Sequence, residues 1–479
     1  MNTLFVASEC APFIKTGGLA DVIGALPKAM APLGHNIRVM LPAYPALAPL
    51  VKKGKTVWEI GPLHGGQARL VAVKAEGLDL LLLDAPHLYD RPGNIYLDAN
   101  GHDWQDNHIR FGALSEIAAK VALGQLADWP VDLVHIHDWQ AGLVPAYMRQ
   151  SGTKAPPCII TIHNIAFQGV FERSCLDTLS LSHSLFTPEG LEYYGKVSFL
   201  KAGIAYSDKI TTVSPTYAGE ILENEFGMGL DGLLRARKAD LIGILNGIDE
   251  KAWDPASDPM IAHHYSSRAM AGKAKNRAAV FTHFNLTPSK TAPLFCVVSR
   301  LSSQKGLDLL LNSVPEIVGR GGKLVLLGSG DKGLEHGFLA AAHQHPNSVG
   351  VTIGYNEPLA HLMQAGADAI LIPSRFEPCG LTQLYAMRYG TLPIVARTGG
   401  LADTVIDANE AALKAGCATG VQFAPNNGAA LDVAIARTCA LFSTPDVWKK
   451  TVRNAMAQAN GWAVSAERYG HLYADLVAS

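Results

Sequence analysis

A chain of 479 residues is longer than one hydrophobic core normally serves, so two or three domains are expected. With 48% hydrophobic and 17% charged residues it is a well-buried globular protein, not a disordered one. A formal net charge of −2 gives no global field for nucleic acid or anionic membrane, so an anionic ligand must be held by local groups.

The opening run Met1–Ser8 lacks the charged start and long apolar stretch of a signal peptide and reads as a first buried strand. No apolar run approaches the roughly 18 residues of a membrane span. Strands are predicted over Thr3–Ser8, Asn36–Leu41, Leu133–Ile136, Ile159–Ile162, Lys209–Val213 and Leu241–Leu245, with a helix over Leu19–Ala31 closed by Gly34. Residues Thr56–Leu83 read as a run of shorter strands inserted in this half. At 246–258 the pattern breaks on the turn-formers Asn246-Gly247-Ile248-Asp249 and Trp253-Asp254-Pro255. A second series follows, with strands over Leu294–Ser299, Lys323–Gly328, Ser348–Ile353, Ala369–Ile372 and Leu392–Ala396. Its helices are predicted over Gly306–Ile317, Pro358–Ala365, Leu381–Arg388 and Ala429–Phe442, and the tail Val464–Val477 is one more amphipathic helix. Strands alternating with helices give an α/β chain with parallel sheets, divided into domains 1–246 and 247–459. The seven cysteines lie far apart with no C-x-x-C pair, which fits a reducing cytosol and argues against a zinc knuckle or disulfide frame.

One hexapeptide occurs twice, as Thr16-Gly17-Gly18-Leu19-Ala20-Asp21 and as Thr398-Gly399-Gly400-Leu401-Ala402-Asp403. Each copy follows a strand and opens a helical turn. Their amides suit an anion at a helix start, and ordinary strand-to-helix turns fit equally well. Lys15 adds a cation to the first copy but not in the order of a nucleotide-binding P-loop, and it is a candidate phosphate or sugar contact or a solvated lysine. Ser299-Arg300-Leu301-Ser302-Ser303-Gln304-Lys305-Gly306 places two cations at the carboxyl end of a parallel strand, where they could clamp a diphosphate. In Pro373–Thr382, Glu377 stands between a strand end and a helix start, either as a cap or in a site. His135, His137 and Asp138 end one strand, and His163 and Asn164 end the next. They serve as core histidines or as sugar contacts, and no third ligand at convincing spacing supports a metal. No Asp-x-Asp motif occurs, so a cation bridging a sugar nucleotide is not indicated.

Together these segments resemble the bacterial glycogen synthases and plant starch synthases, from Met1 to the last helix. The carrying motifs are Lys15–Val22, His137-Asp138-Trp139, Thr161–Asn164, Phe199–Gly203, Asn246–Asp249, Ser299-Arg300-Leu301, Gln304-Lys305-Gly306, Glu377–Leu381 and Thr398–Leu401. The Glu377 and Arg300–Lys305 set is shared with many glycosyltransferases, whereas the Lys15 loop running into Val22–Pro27 is narrower and points to ADP-glucose users. The lack of a transit peptide favours a cytoplasmic bacterial enzyme.

The resemblance implies two Rossmann-like domains facing a deep cleft, of the GT-B type, with the helix 460–479 crossing back onto the first domain. It implies retaining transfer of glucose from ADP-glucose to the non-reducing end of an α-1,4-glucan, with no cofactor, no metal, no nucleic acid and no membrane. By position, the catalytic set would be Glu377, Arg300, Lys305, His163 and Asp138. Lys15, Gly17, Gly18, Asn164, Asn246, Ser299, Gly354, Cys379, Gly380, Leu381 and Thr382 would contact the donor, with Tyr355 stacking on adenine. Asp21, Tyr96 and Trp139 are weaker candidates for the sugar or acceptor side. Two other readings compete. A glucan phosphorylase would need a pyridoxal phosphate lysine, and no segment resembles that family's motif. A catalytically silent glucan-binding protein would have no need of the Glu377, Arg300 and Lys305 set.

Overall fold

In the computed structural model, which describes residues 1–478, Met1–Asn246 and the segment from Trp462 onward form one unit and Gly247–Gly461 a second. The first contains β1 (Asn2–Val6), β2 (Asn36–Pro42), β3 (Lys55–Leu63), β4 (Gly66–Ala75), β5 (Leu78–Asp84), β6 (Leu133–His137) and β7 (Cys158–Ile162). It continues with β8 (Val170–Phe171), β9 (Glu192–Tyr193), β10 (Lys196–Ser198), β11 (Lys209–Thr212) and β12 (Leu241–Gly243). A nine-stranded sheet runs β12-β11-β7-β6-β1-β2-β5-β4-β3, and β8, β10 and β9 make a small second sheet. Leu4, Phe5 and Val6 of β1 are fully buried, as expected of a parallel strand covered on both faces.

The sheet grows from β1 in both directions. The chain passes from β1 to β2 on one side, and later places β6 on the other. This reversal is a topological switch point, and the loops leaving β1 and β6 flank the crevice where open α/β sheets bind ligands. The helix Gly18–Met30 follows β1, with Leu19, Ile23, Leu26 and Met30 buried. The last helix, Trp462–Ala478, returns to this unit and buries Tyr473, whose hydroxyl lies 2.5 Å from His135 Nδ1.

The predicted short strands over Thr56–Leu83 are instead long ones. β3 and β4 form an antiparallel hairpin of 9 and 10 residues at the sheet edge, and β5 joins β2 in parallel. Register shifts at Thr56/Trp58 and Glu59/Gly61 carry the pairing through places where the alternation of the sequence breaks.

The second unit contains β13 (Leu294–Val298), β14 (Lys323–Gly328), β15 (Val349–Ile353), β16 (Ala369–Ile372), β17 (Leu392–Ala396) and β18 (Val421–Phe423), all parallel. Their order, β15-β14-β13-β16-β17-β18, reverses between β13 and β16. The loops leaving those two strands carry Ser299–Gly306 and Pro373–Gly380. One side of the sheet packs Phe295, Leu310, Leu324, Phe338, Ile394 and Leu431 into a core, and the other packs Val280, Cys296, Val325, Met363 and Ile370. The structure adds β18 and the helices Ala271–His283, Lys332–Gln344 and Pro445–Met456 to the predicted elements. β18 is too short to stand out in sequence and is fixed by pairing with β17.

Candidate active site

In the second unit the two switch-point loops are bolted to one another. Arg375 donates both guanidinium ends to Asp308 at 2.7 Å, donates to Ser303 O, and its amide bonds Gln304 O at 2.8 Å. Gly306 sits at φ +66, and a Cβ there would lie 1.9 Å from Pro373 O, so only glycine allows this approach. Lys305 Nζ thereby comes within 2.6 Å of Glu377 Oε2, which also accepts from Ser374 Oγ at 2.8 Å. Glu377 is 7% exposed, and its Oε1 has no partner among the described residues. Arg300 is exposed, and its guanidinium makes no hydrogen bond or ion pair among the described residues. A carboxylate with one free oxygen beside a lysine can bind hydroxyls next to a cation suited to a phosphate.

In the first unit the ends of the adjacent strands β1, β6 and β7 gather Glu9, Asp138, His163 and Asn164. Asp138 has φ +54, a conformation that costs energy for a residue with a side chain and clusters at functional positions. Its Oδ1 accepts the amides of His163 at 2.7 Å and Asn164 at 3.4 Å. Burial raises the Asp138 carboxyl to about 7, against the pull of those amides and with a smaller push from Glu9. Burial takes His163 down to about 3 and holds His135 and His137 well below the ordinary imidazole range, so all three rings are neutral near pH 7. No group of three His, Cys, Asp or Glu that could hold a metal ion occurs among the described residues.

Glu9 organises the loop between β1 and its helix. It accepts from Thr16 N at 2.5 Å, Thr16 Oγ1 at 2.6 Å, Gly17 N at 3.2 Å and Tyr96 OH at 2.7 Å. Thr16, Gly17 and Gly18 are exposed, and a Cβ on either glycine would meet nothing within 4 Å. The Gly17 N–H is thus committed to Glu9, while the Gly18 N–H has no acceptor among the described residues.

Residues 2–236 match the family profile described as starch synthase catalytic domain, and residues 281–454 match glycosyl transferases group 1. The glycogen synthase of Roseobacter denitrificans is 62% identical over 477 residues, covering 100% of both chains. Glycogen synthase 1 of Rhizobium meliloti is 52% identical over 479 residues, again covering 100% of both. This chain belongs to the glycogen synthase family. Among solved structures, the catalytic domain of starch synthase IV from Arabidopsis thaliana, bound to ADP and acarbose, superposes with a TM-score of 0.88 at 30% identity, covering 100% of this chain and 99% of that one. Sucrose-phosphate synthase from Thermosynechococcus elongatus shares the fold, with a TM-score of 0.60 at 18% identity. The fold is GT-B, built from two Rossmann-like α/β domains, and the activity is that of a glycosyltransferase of glycogen synthesis.

The structure brings Glu377 and Lys305 together, and likewise Asp138, His163 and Asn164, while Ser299 and Arg300 stand at the end of β13 on the loop that carries Lys305. Cys379 is buried. Gly380 at φ +71 turns the chain toward Leu381 and Thr382, which open the helix Thr382–Arg388. Asn246 ends the first unit with its Oδ1 enclosed and without a partner among the described residues. Tyr355, after Gly354 at φ +125, is 85% exposed. Trp139 packs edge-on against Phe111 at 4.9 Å in a buried aromatic cluster, and Tyr96 is occupied by Glu9 and Ser8. Lys15 pairs with Asp21 at 2.7 Å.

The second glycine copy is not open. Gly400 N donates to Glu377 O and Pro378 O, both at 3.1 Å, and a Cβ on Gly399 would sit 1.9 Å from Glu377 O. Its glycines pack under the Glu377 loop, which fits the reading of this copy as a strand-to-helix turn that needs glycine. Sequence reasoning missed Glu9, Ser374 and the Arg375–Asp308 clamp. Only their places next to strand ends could have signalled them.

Proposed function

We propose that this chain transfers glucose from ADP-glucose to the non-reducing end of an α-1,4-glucan, with retention and without a metal, in the cytoplasm. The second unit supplies the main diphosphate and nucleotide contacts, and the first supplies further donor contacts and the acceptor side. Supporting this are the family membership and the ADP and acarbose bound to its starch synthase relative. The observation that carries the reading is the Lys305–Glu377 pair, on the loops leaving β13 and β16, with Arg300 unpaired among the described residues on the same loop as Lys305.

Arg300 and Lys305 neutralise the departing diphosphate, with the Gly18 amide and Lys15 adding to this. The free oxygen of Glu377 binds glucose hydroxyls and steadies positive charge at C1. His163 and Asn164 hold the sugar, and Asp138 fixes their backbone close to the reacting face. Tyr355 stacks on adenine. Ser299, Asn246, Gly17 and the turn Cys379–Thr382 complete the donor contacts, while Asp21, Tyr96 and Trp139 line the acceptor side. In the reaction the bond from C1 to the diphosphate oxygen breaks. A bond from C1 to the acceptor 4-hydroxyl oxygen forms on the same face, and the hydroxyl proton passes to the leaving phosphate. Such a step needs positioning and charge stabilisation rather than a carboxylate nucleophile.

Purified protein with glycogen and either ADP-glucose or UDP-glucose tests the reading, by nucleotide release and glucose incorporation. Arg300→Ala and Lys305→Ala should each lower kcat roughly a hundred- to thousand-fold. Near-wild-type turnover in both, preference for UDP-glucose, or activity lost with EDTA and regained with Mg²⁺ would each overturn its part of the proposal.

A further inference from the structure

Beneath the strand ends of the first unit, three buried histidines belong to two separate hydrogen-bonded chains. In one, Thr211 Oγ1 donates to Ile160 O at 3.4 Å and so accepts from Thr161 Oγ1 at 2.6 Å. Thr161 Oγ1 in turn accepts from His135 Nε2 at 2.6 Å, leaving His135 Nδ1 to accept from Tyr473 OH at 2.5 Å. A hydroxyl has a single hydrogen, so this direction is fixed from end to end and both nitrogens of His135 are spent.

The second chain is a single bond, His137 Nδ1 to His163 Nε2 at 3.0 Å. Both rings are neutral, because burial depresses both imidazoles. One of the two nitrogens therefore carries the hydrogen. If it were His163 Nε2, His137 would carry its own hydrogen on Nε2, an enclosed atom with no partner. Protein interiors avoid an orphaned N–H of that kind. If it is His137 Nδ1, the enclosed Nε2 is only a bare lone pair, and His163 carries its hydrogen on Nδ1. His163 Nδ1 has no partner among the described residues, and His163 is 9% exposed while His135 and His137 are at 0%.

We propose that His137 is a positioning residue: its Nδ1–H holds His163 in the Nδ1–H tautomer, so that His163 presents a hydrogen-bond donor to an oxygen of the glycosyl substrate. The inference rests on the reading of His163 as a sugar contact. Asp138 fixes the His163 backbone through its amide, and His137 fixes the ring. Neither alone sets both the place and the polarity of the contact. A ligand hydroxyl or phosphate oxygen must then accept from His163.

Histidine ¹⁵N spectra of the ligand-free protein at neutral pH read the tautomers directly. The expected result is a protonated Nδ1 and a bare Nε2 in His163, with the opposite pattern in His135. A protonated Nε2 or an imidazolium at His163 would overturn the assignment. Asparagine places its amide nitrogen where His Nδ1 stands, so His137→Asn should keep the tautomer and most of the turnover. His137→Leu should lose it and lower kcat/KM for the donor by about tenfold or more. Equal activity in His137→Leu and wild type, or equal damage in both folded variants, would also overturn it. Should the leucine variant not fold, the spectra of wild type and His137→Asn still decide. A chain with the expected tautomers but no glucosyl transfer would sink the sugar reading and uphold the tautomer assignment.

Discussion

Thr16–Asp21 and Thr398–Asp403 have the same six residues, yet one copy faces solvent and the other is walled in. In the first, Thr16, Gly17 and Gly18 are exposed, and their loop hangs from the Glu9 carboxylate. In the second, Thr398, Gly399 and Gly400 are buried against the backbone of Glu377, Pro378 and Cys379. The cause lies outside the hexapeptide. Thr398 follows β17 almost directly, so its glycines are drawn down onto the neighbouring strand-end loop, whereas Thr16 stands well beyond β1 after the excursion through Pro12. Glycine leaves open space in the first copy and allows close packing in the second. An identical motif therefore reports a shared local conformation far less reliably than the loop that carries it.

The largest expected difference is in stability. Gly399→Ala adds a Cβ at φ +43, only 1.9 Å from Glu377 O, and should destabilise the protein by about 2–4 kcal/mol. By displacing Glu377 it should also depress kcat. Gly18→Ala meets nothing within 4 Å at a helix start, and should leave stability unchanged or raise it by about 0.4–1 kcal/mol. Its penalty should fall on donor KM alone. Denaturant unfolding of both variants checks this, and equal destabilisation would erase the distinction between an open and a packed copy.

Next in size is the carboxylate under the first copy. Glu9→Ala removes the acceptor for Thr16 N, Thr16 Oγ1, Gly17 N and Tyr96 OH, at an expected cost of about 1–3 kcal/mol. Water can replace it at the exposed amides but less readily at the enclosed tyrosine hydroxyl. Hydrogen exchange should quicken at the Thr16 and Gly17 amides and stay unchanged at Gly400. Protection retained at Thr16 and Gly17 would mean that the loop is held by something other than Glu9.

Much of this architecture is legible in the amino-acid sequence. Alternating strands and helices gave both sheets, and the turn-formers after Asn246 mark where the first unit ends. The Glu377, Arg300 and Lys305 set stood out because a strand end followed by a helix start is where α/β sheets bind ligands. What stayed hidden depended on contacts distant in sequence. Glu9 looks like the polar end of an apolar run until Tyr96 and the Thr16 amide close on it. The hydrogen-bonded His137–His163 pair needed the register of β6 on β7. The enclosure of Gly399 needed β16 and β17 side by side.

The smallest stability effect should come from the cation before each copy, and it separates the two by function. Lys15 pairs with Asp21 at 2.7 Å, with side chains 53% and 25% exposed. Surface pairs of this kind contribute about 0–1 kcal/mol, so Lys15→Gln should barely move the unfolding midpoint. Its counterpart before the second copy is Arg397, exposed on the packed loop with no side-chain partner among the described residues. If the open copy serves the donor, Lys15→Gln should lower kcat/KM for ADP-glucose while Arg397→Gln leaves it intact. The Lys15 ammonium is already shared with Asp21, so Asp21→Asn should free it and tighten donor binding, most visibly at low salt where the pair is least screened. An unchanged kcat/KM in Lys15→Gln would return Lys15 to a solvated surface charge. Equal losses at Lys15 and Arg397 would show that a cation near the glycine loop matters in both copies, whatever the loop's burial.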